Sequence, residues 1–157
     1  MDRLAWVICA GLAVTACTAD SPQTELPDPP AAFPHAMAVR SCAPWDGPAT
    51  DIILTPEPVD SAASGPAAPP YVSIGIWQGP ETLAGTTITW PTDMDRGGAI
   101  RCAGGDDCEA TSDGHVSFRR SDSADHLIGT LELTFPSGVR ISGGFRAHVR
   151  PNPALCG

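Results

Sequence analysis

Leu127-Ile-Gly-Thr-Leu-Glu-Leu-Thr-Phe-Pro-Ser-Gly-Val-Arg-Ile-Ser-Gly-Gly-Phe-Arg-Ala-His-Val149 is the stretch on which the fold reading turns. Leu127, Gly129, Leu131, Leu133 and Phe135 alternate with polar residues, and Val139, Ile141, Gly143, Phe145, Ala147 and Val149 do the same. A period of two is the signature of a strand with one buried face, and two such strands in succession make an antiparallel hairpin. Both apolar sets must lie on one face, and directly opposed residues share a face, so Phe135 is expected to oppose Val139. Pro136-Ser137-Gly138 then forms a three-residue loop with Gly138 in the left-handed conformation, where a Cβ would be costly. Glu132 falls opposite Ser142, and Thr134 opposite Arg140. The outward row Arg140, Ser142, Gly144, Arg146, His148 and Arg150 is a basic stripe. It is either a binding face or a solvated strand face whose arginines pair with nearby carboxylates.

Working outward, strand signals recur at short intervals: Met37–Ser41, Asp51–Leu54, Tyr71–Trp77, Thr86–Trp90, Ala99–Cys102 and His115–Arg119. No window after the first twenty positions sustains apolar residues at helical spacing, and 16 Gly and 17 Pro fit a turn-rich chain. The fold class expected is all-β, a small antiparallel sandwich or barrel of about seven to eight strands held by disulfides. The chain is 157 residues long, enough for one such domain, placed at 37–157. The cysteine and tryptophan spacing does not fit an immunoglobulin module, since Trp45 and Trp77 stand 3 and 35 residues after Cys42.

The net charge of −9, with nine arginines and no lysine, repels a phosphate backbone overall and argues against nucleic acid as a partner. Residues 17–36 carry five prolines without periodicity and read as an extended, semi-rigid tether. Thr55–Pro70 reads as a long exposed loop.

Several candidate chemistries lie within the domain. Asp93, Asp95, Asp106, Asp107, Glu109 and Asp113 gather in one region. Asp93-Met-Asp95-Arg-Gly-Gly begins like a calcium loop, but Gly104 stands where the bidentate Glu belongs. Ala110-Thr-Ser112-Asp-Gly114 has a nucleophile-elbow pattern without the strand-to-helix setting that device needs. His35, His115, His126 and His148 show no metal-pair spacing. No catalytic set is selected, no cofactor is indicated, and the expected function is noncatalytic.

The N-terminus decides the compartment. Arg3 precedes an apolar run, Leu4–Ala13, too short to span a bilayer core of about 20 residues. It ends in Val14-Thr15-Ala16-Cys17, which resembles the lipobox of bacterial lipoproteins. The resemblance implies a signal peptide at 1–16, lipidation of Cys17 and an envelope location. Thr18 rather than Asp after that cysteine implies the outer membrane. Partners are then the membrane, through the lipid, and an envelope protein or cell-wall component. The alternative is a soluble secreted protein beginning near Asp20.

Once Cys9 leaves with the signal and Cys17 is acylated, four cysteines remain, an even set in an oxidising compartment. Three connectivities are possible. Cys102 and Cys108 bracket a turn-forming Ala-Gly-Gly-Asp-Asp, and Cys42 and Cys156 bracket the domain, so local plus terminal pairing is favoured. Cys102 and Cys108 are too widely spaced for a zinc ligand pair. Finally, Ser137-Gly-Val-Arg140, closed by Cys156, resembles the Ser-Gly-x-Arg-Tyr stretch of periplasmic C-type lysozyme inhibitors, with Ile141 in place of the tyrosine. It implies a second reading, inhibition of a secreted hydrolase through Ser137 and Arg140, and a third is a small hydrolase using the acidic region.

Overall fold

In the computed structural model, which describes residues 25–59, 68–151 and 156, nine strands follow one another: β1 (His35–Cys42), β2 (Pro48–Thr55), β3 (Tyr71–Ile76), β4 (Thr87–Trp90), β5 (Gly97–Gly104), β6 (Asp107–Ala110), β7 (Asp113–Arg119), β8 (His126–Thr134) and β9 (Arg140–Val149). A single 3-10 turn, Pro80–Thr82, interrupts them among the described residues. The β8–β9 hairpin has the register that the alternation predicts. Glu132 opposes Ser142 and Thr134 opposes Arg140. The Phe135 amide donates to the Val139 carbonyl at 2.9 Å, and Gly138 sits at φ +85°.

Gly129 is the third member of a row across three strands, between Phe118 on β7 and Phe145 on β9. A Cβ there would lie 2.5 Å from the Phe145 ring, so the glycine is the space into which that ring packs. The two phenylalanines meet edge to face at 5.9 Å between centroids, a geometry aromatic rings favour.

All nine strands belong to one sheet, in the order β4-β7-β8-β9-β1-β2-β3-β5-β6. The sheet curls into a half-barrel, which places the inward faces of β2 (Ile52, Leu54), β3 (Val72, Ile74, Ile76), β4 (Ile88, Trp90) and β8–β9 in one core. Its opening is bridged by β6 and β7, which are the two halves of one bent stretch. β6 pairs with β5 and β7 pairs with β8. At the bend, the Thr111 amide donates to Ala99 on β5 and the Ser112 amide to Thr134 on β8. The indole of Trp90 on β4 donates to the Gly97 carbonyl of β5 at 3.0 Å across the same opening.

Two features differ from the antiparallel reading. β9 and β1 pair in parallel, Met37 beside His148 and Ala38 beside Val149, so the sheet is mixed. Alternation specifies which face is buried but not the direction of a distant neighbour. The ninth strand, β6, is short and polar, and only its pairing with β5 identifies it.

Both disulfides, Cys42–Cys156 and Cys102–Cys108, are formed as the local-plus-terminal arrangement requires. Cys102 and Cys108 are directly opposed across β5 and β6.

The described part of the Pro-rich stretch is packed on the domain. Phe33 joins the core, and the Asp28 carbonyl accepts a 2.8 Å hydrogen bond from the Gly144 amide at the edge of β9 away from β8. A Cβ on Gly144 would meet the Pro27 carbonyl, and one on Gly143 the Asp28 carbonyl and Pro30. The paired glycines therefore let one backbone lie against another, which side chains would prevent.

Candidate functional site

The outer face of β9 is divided by this N-terminal segment. Leu26–Pro30 covers the strand at Gly143 and Gly144, leaving Arg140 and Ser142 exposed on the tip side and Arg146 and His148 exposed on the other. The basic stripe is thus two separate places. Arg140 stands six residues from Arg146 along β9, about 20 Å in an extended strand.

On the far side of the segment, β1 lies next to β9, and their parallel pairing brings His35 and Met37 beside His148. The result is a groove of about 330 Å³ with Arg146, His148, Arg150 and His35 on its wall. Pro34, Met37, Pro58 and Val59 supply its apolar surface. Among the described residues its lining includes two guanidinium groups, two imidazoles and no carboxylate. That composition is unusual on a chain with net charge −9, and it suits a ligand with a negative head and an apolar flank.

Arg146 is shared with a second, wider cleft on its other side, about 840 Å³, where Arg119, Arg120 and Asp122 line the wall and Glu25 and Leu26 form the edge. Arg146 reaches Asp122 at 3.3 Å, with both side chains at least half exposed, so the pair is weak and leaves the guanidinium accessible. Behind the groove His148 meets His126 across the β8–β9 ladder, rings edge to face at 5.4 Å.

The hairpin tip is held down. Glu109 on β6 accepts the Ser137 hydroxyl at 2.6 Å and the Ser137 amide at 3.0 Å, and it also pairs with Arg101 at 3.0 Å. The Ser137 hydroxyl, its amide and the Arg101 guanidinium together hold the Glu109 carboxyl below the usual carboxylate range. Ser137 is therefore anchored to the sheet edge instead of projecting from it.

Two of the remaining candidates, Asp93 and Ser112, have local structural partners. Asp93 accepts the Thr89 amide at 2.8 Å and lies 3.7 Å from Arg96, closing the β4–β5 turn. Ser112 donates its hydroxyl to the Thr134 carbonyl at the β6–β7 bend. None of the acids from Asp93 to Asp113 lines the two clefts described or a third one beside His126. Among the described residues no three His, Cys, Asp or Glu side chains converge as a metal site. Trp45, 61% exposed, packs edge to face with Trp77 at 4.7 Å on the opposite end of β1 from His35. Cys17, the expected lipidation site, lies outside the described residues.

The stripe residues Arg146, His148 and Arg150 are legible in the sequence, whereas nothing in the sequence links His35, Met37, Arg119 and Arg120 to them. Arg119-Arg120 at the end of a predicted strand was a visible cue, but nothing in it pointed to β9. No known protein family, curated protein or solved structure matches the chain.

Proposed function

We propose that this chain is a noncatalytic lipoprotein of the bacterial cell envelope, anchored through Cys17 in the outer membrane, whose β1–β9 groove binds an acidic partner. The observation that carries the reading is the groove's lining: Arg146, His148 and Arg150 beside Pro34, Met37 and Val59, with no carboxylate among its described residues. Buried apolar area supplies affinity in such a site, and the guanidinium groups supply orientation toward an anion. The hydrolase-inhibitor reading has less support, because Ser137 is already bound through both its hydroxyl and its amide to Glu109.

Expression in a diderm bacterium tests both halves. Intact mass is expected to show a lipidated chain beginning at Cys17, and Cys17→Ser is expected to lose the lipid and the membrane fraction. A photo-crosslinking residue in place of His148 is expected to capture an acidic envelope component that the same residue in place of Thr87, at the β4 edge, does not capture. Identical adducts at both positions would remove the groove from the account while leaving the anchor standing.

A further inference from the structure

The groove's position relative to the anchor narrows its ligand, and this step rests on the lipoprotein reading above. The described N-terminal segment begins at Glu25, on the edge of the cleft that shares Arg146 with the groove. Because Leu26–Pro30 is bonded to β9, only the residues before it set how far the domain can stand from the lipid. From Cys17 to Glu25 is eight residues, which fully extended reach about 28 Å. The face of the domain that receives the tether therefore stays within that distance of the bilayer carrying the lipid. It is also the face on which Arg119, Arg120, Arg146 and Arg150 lie, four of the nine arginines of the chain, against the two carboxylates Glu25 and Asp122 that line the same clefts.

We infer that the groove binds the phosphate of an anionic phospholipid headgroup in the membrane that holds the Cys17 anchor. Arg146, with His148 beside it on the groove wall, meets the phosphate, a planar guanidinium being well matched to two of its oxygens. Met37 and Val59 lie against the glycerol and first acyl carbons. A lipid on one cysteine and a basic patch on the same face act as two membrane signals, and two are what stable, oriented attachment requires.

The test uses the mature chain carrying Cys17→Ser, so that vesicle binding reports the groove alone while intact mass of the unmodified chain reports the anchor. The two readings then fail separately. Vesicles are phosphatidylcholine with and without a third of phosphatidylglycerol, at low salt. The chain is expected to float with the anionic vesicles and not with the neutral ones. Reversing one charge with Arg146→Glu removes one attraction and adds one repulsion, and is expected to reduce partition by roughly thirty-fold; Arg146→Gln should reduce it about five-fold. The Arg146 side chain is half exposed, so neither change removes core packing. With both reversals repeated at physiological salt, where the Debye length is about 8 Å, Arg140→Glu, six residues away along β9, is expected to change partition by less than about two-fold and by less than Arg146→Glu does. Equal flotation with both vesicle types, flotation with neither, or equal effects of the Arg140 and Arg146 reversals would overturn the inference. So would inorganic phosphate or an acidic protein occupying the groove while anionic vesicles do not.

Discussion

The two ends of the β8–β9 hairpin are held by different physics. At the tip, Ser137 is bound by a carboxylate on the sheet edge, Glu109, whose side chain keeps a fifth of its surface exposed. At the far end, β9 is zipped in parallel to β1, and β1 runs at its other end to Cys42, which is joined to Cys156. One end is a polar, pH-sensitive contact, and the other is covalent and apolar. Water competes for every bond at the tip, whereas burial and chain connectivity act continuously at the base. The candidate groove lies at that far end, with β1 and β9 on its wall and Pro34, Pro58 and Val59 beside them.

Removing the terminal disulfide should break this contrast most strongly. The Cys42–Cys156 bridge spans 114 residues, and in the chain-entropy treatment its loss costs about 4 to 5 kcal/mol. The Cys102–Cys108 bridge spans 6, and its loss costs about 2 kcal/mol. Denaturant midpoints of the two double serine variants measure the difference. Equal losses would mean that the terminal bridge does not constrain the unfolded chain as its span implies.

A smaller change sharpens the account of the outer face. Gly144→Val places a branched side chain where the Pro27 carbonyl and Leu26 now lie, and overpacking of this kind costs about 1 to 3 kcal/mol unless the segment leaves. The expected outcome is release of residues 25–30, seen as faster proteolysis there while the β8–β9 core stays protected. Unchanged proteolysis would show that the segment is held by something other than the glycine pair.

The tip should show the smallest effect and the clearest pH dependence. Glu109 titrates below its unfolded value, so its contribution is present above the ordinary carboxylate range, about 4.3, and is lost as pH falls through the lowered value. Amide exchange at Ser137 is expected to quicken on acidification in the wild type. In Glu109→Gln it should be fast already near neutrality and nearly flat with pH. A wild-type tip equally protected on both sides of that range would remove the carboxylate clamp from the account.

Much of the fold could be read residue by residue. The inward row from Leu127 to Val149 needed only alternation, and the position of Gly138 needed only the turn that such a register demands. The same register, carried down the hairpin, places His126 opposite His148, although the two look unrelated in linear spacing. The Gly143-Gly144 pair offered less, because each glycine is explained by a backbone lying on it, and that backbone comes from a segment more than a hundred residues away. The middle of the tether, Leu26–Pro30, has an extended, proline-rich composition, which is equally compatible with a spacer and with a strap bonded to a strand.

By itself the sequence determined the all-β class and the β8–β9 register with its three-residue loop, and among three possible connectivities it favoured the pairing of near and terminal cysteines that the structure shows. These follow from side-chain period, turn stereochemistry and parity, all of which act over neighbouring residues or by counting. Only the tertiary structure decided that β1 lies parallel to β9, that His35 and Met37 face Arg146 and His148, and that Arg140 belongs to a different place from the rest of its stripe. Those outcomes depend on which distant strands meet and in which direction, and side-chain alternation reads the same along a strand from either end.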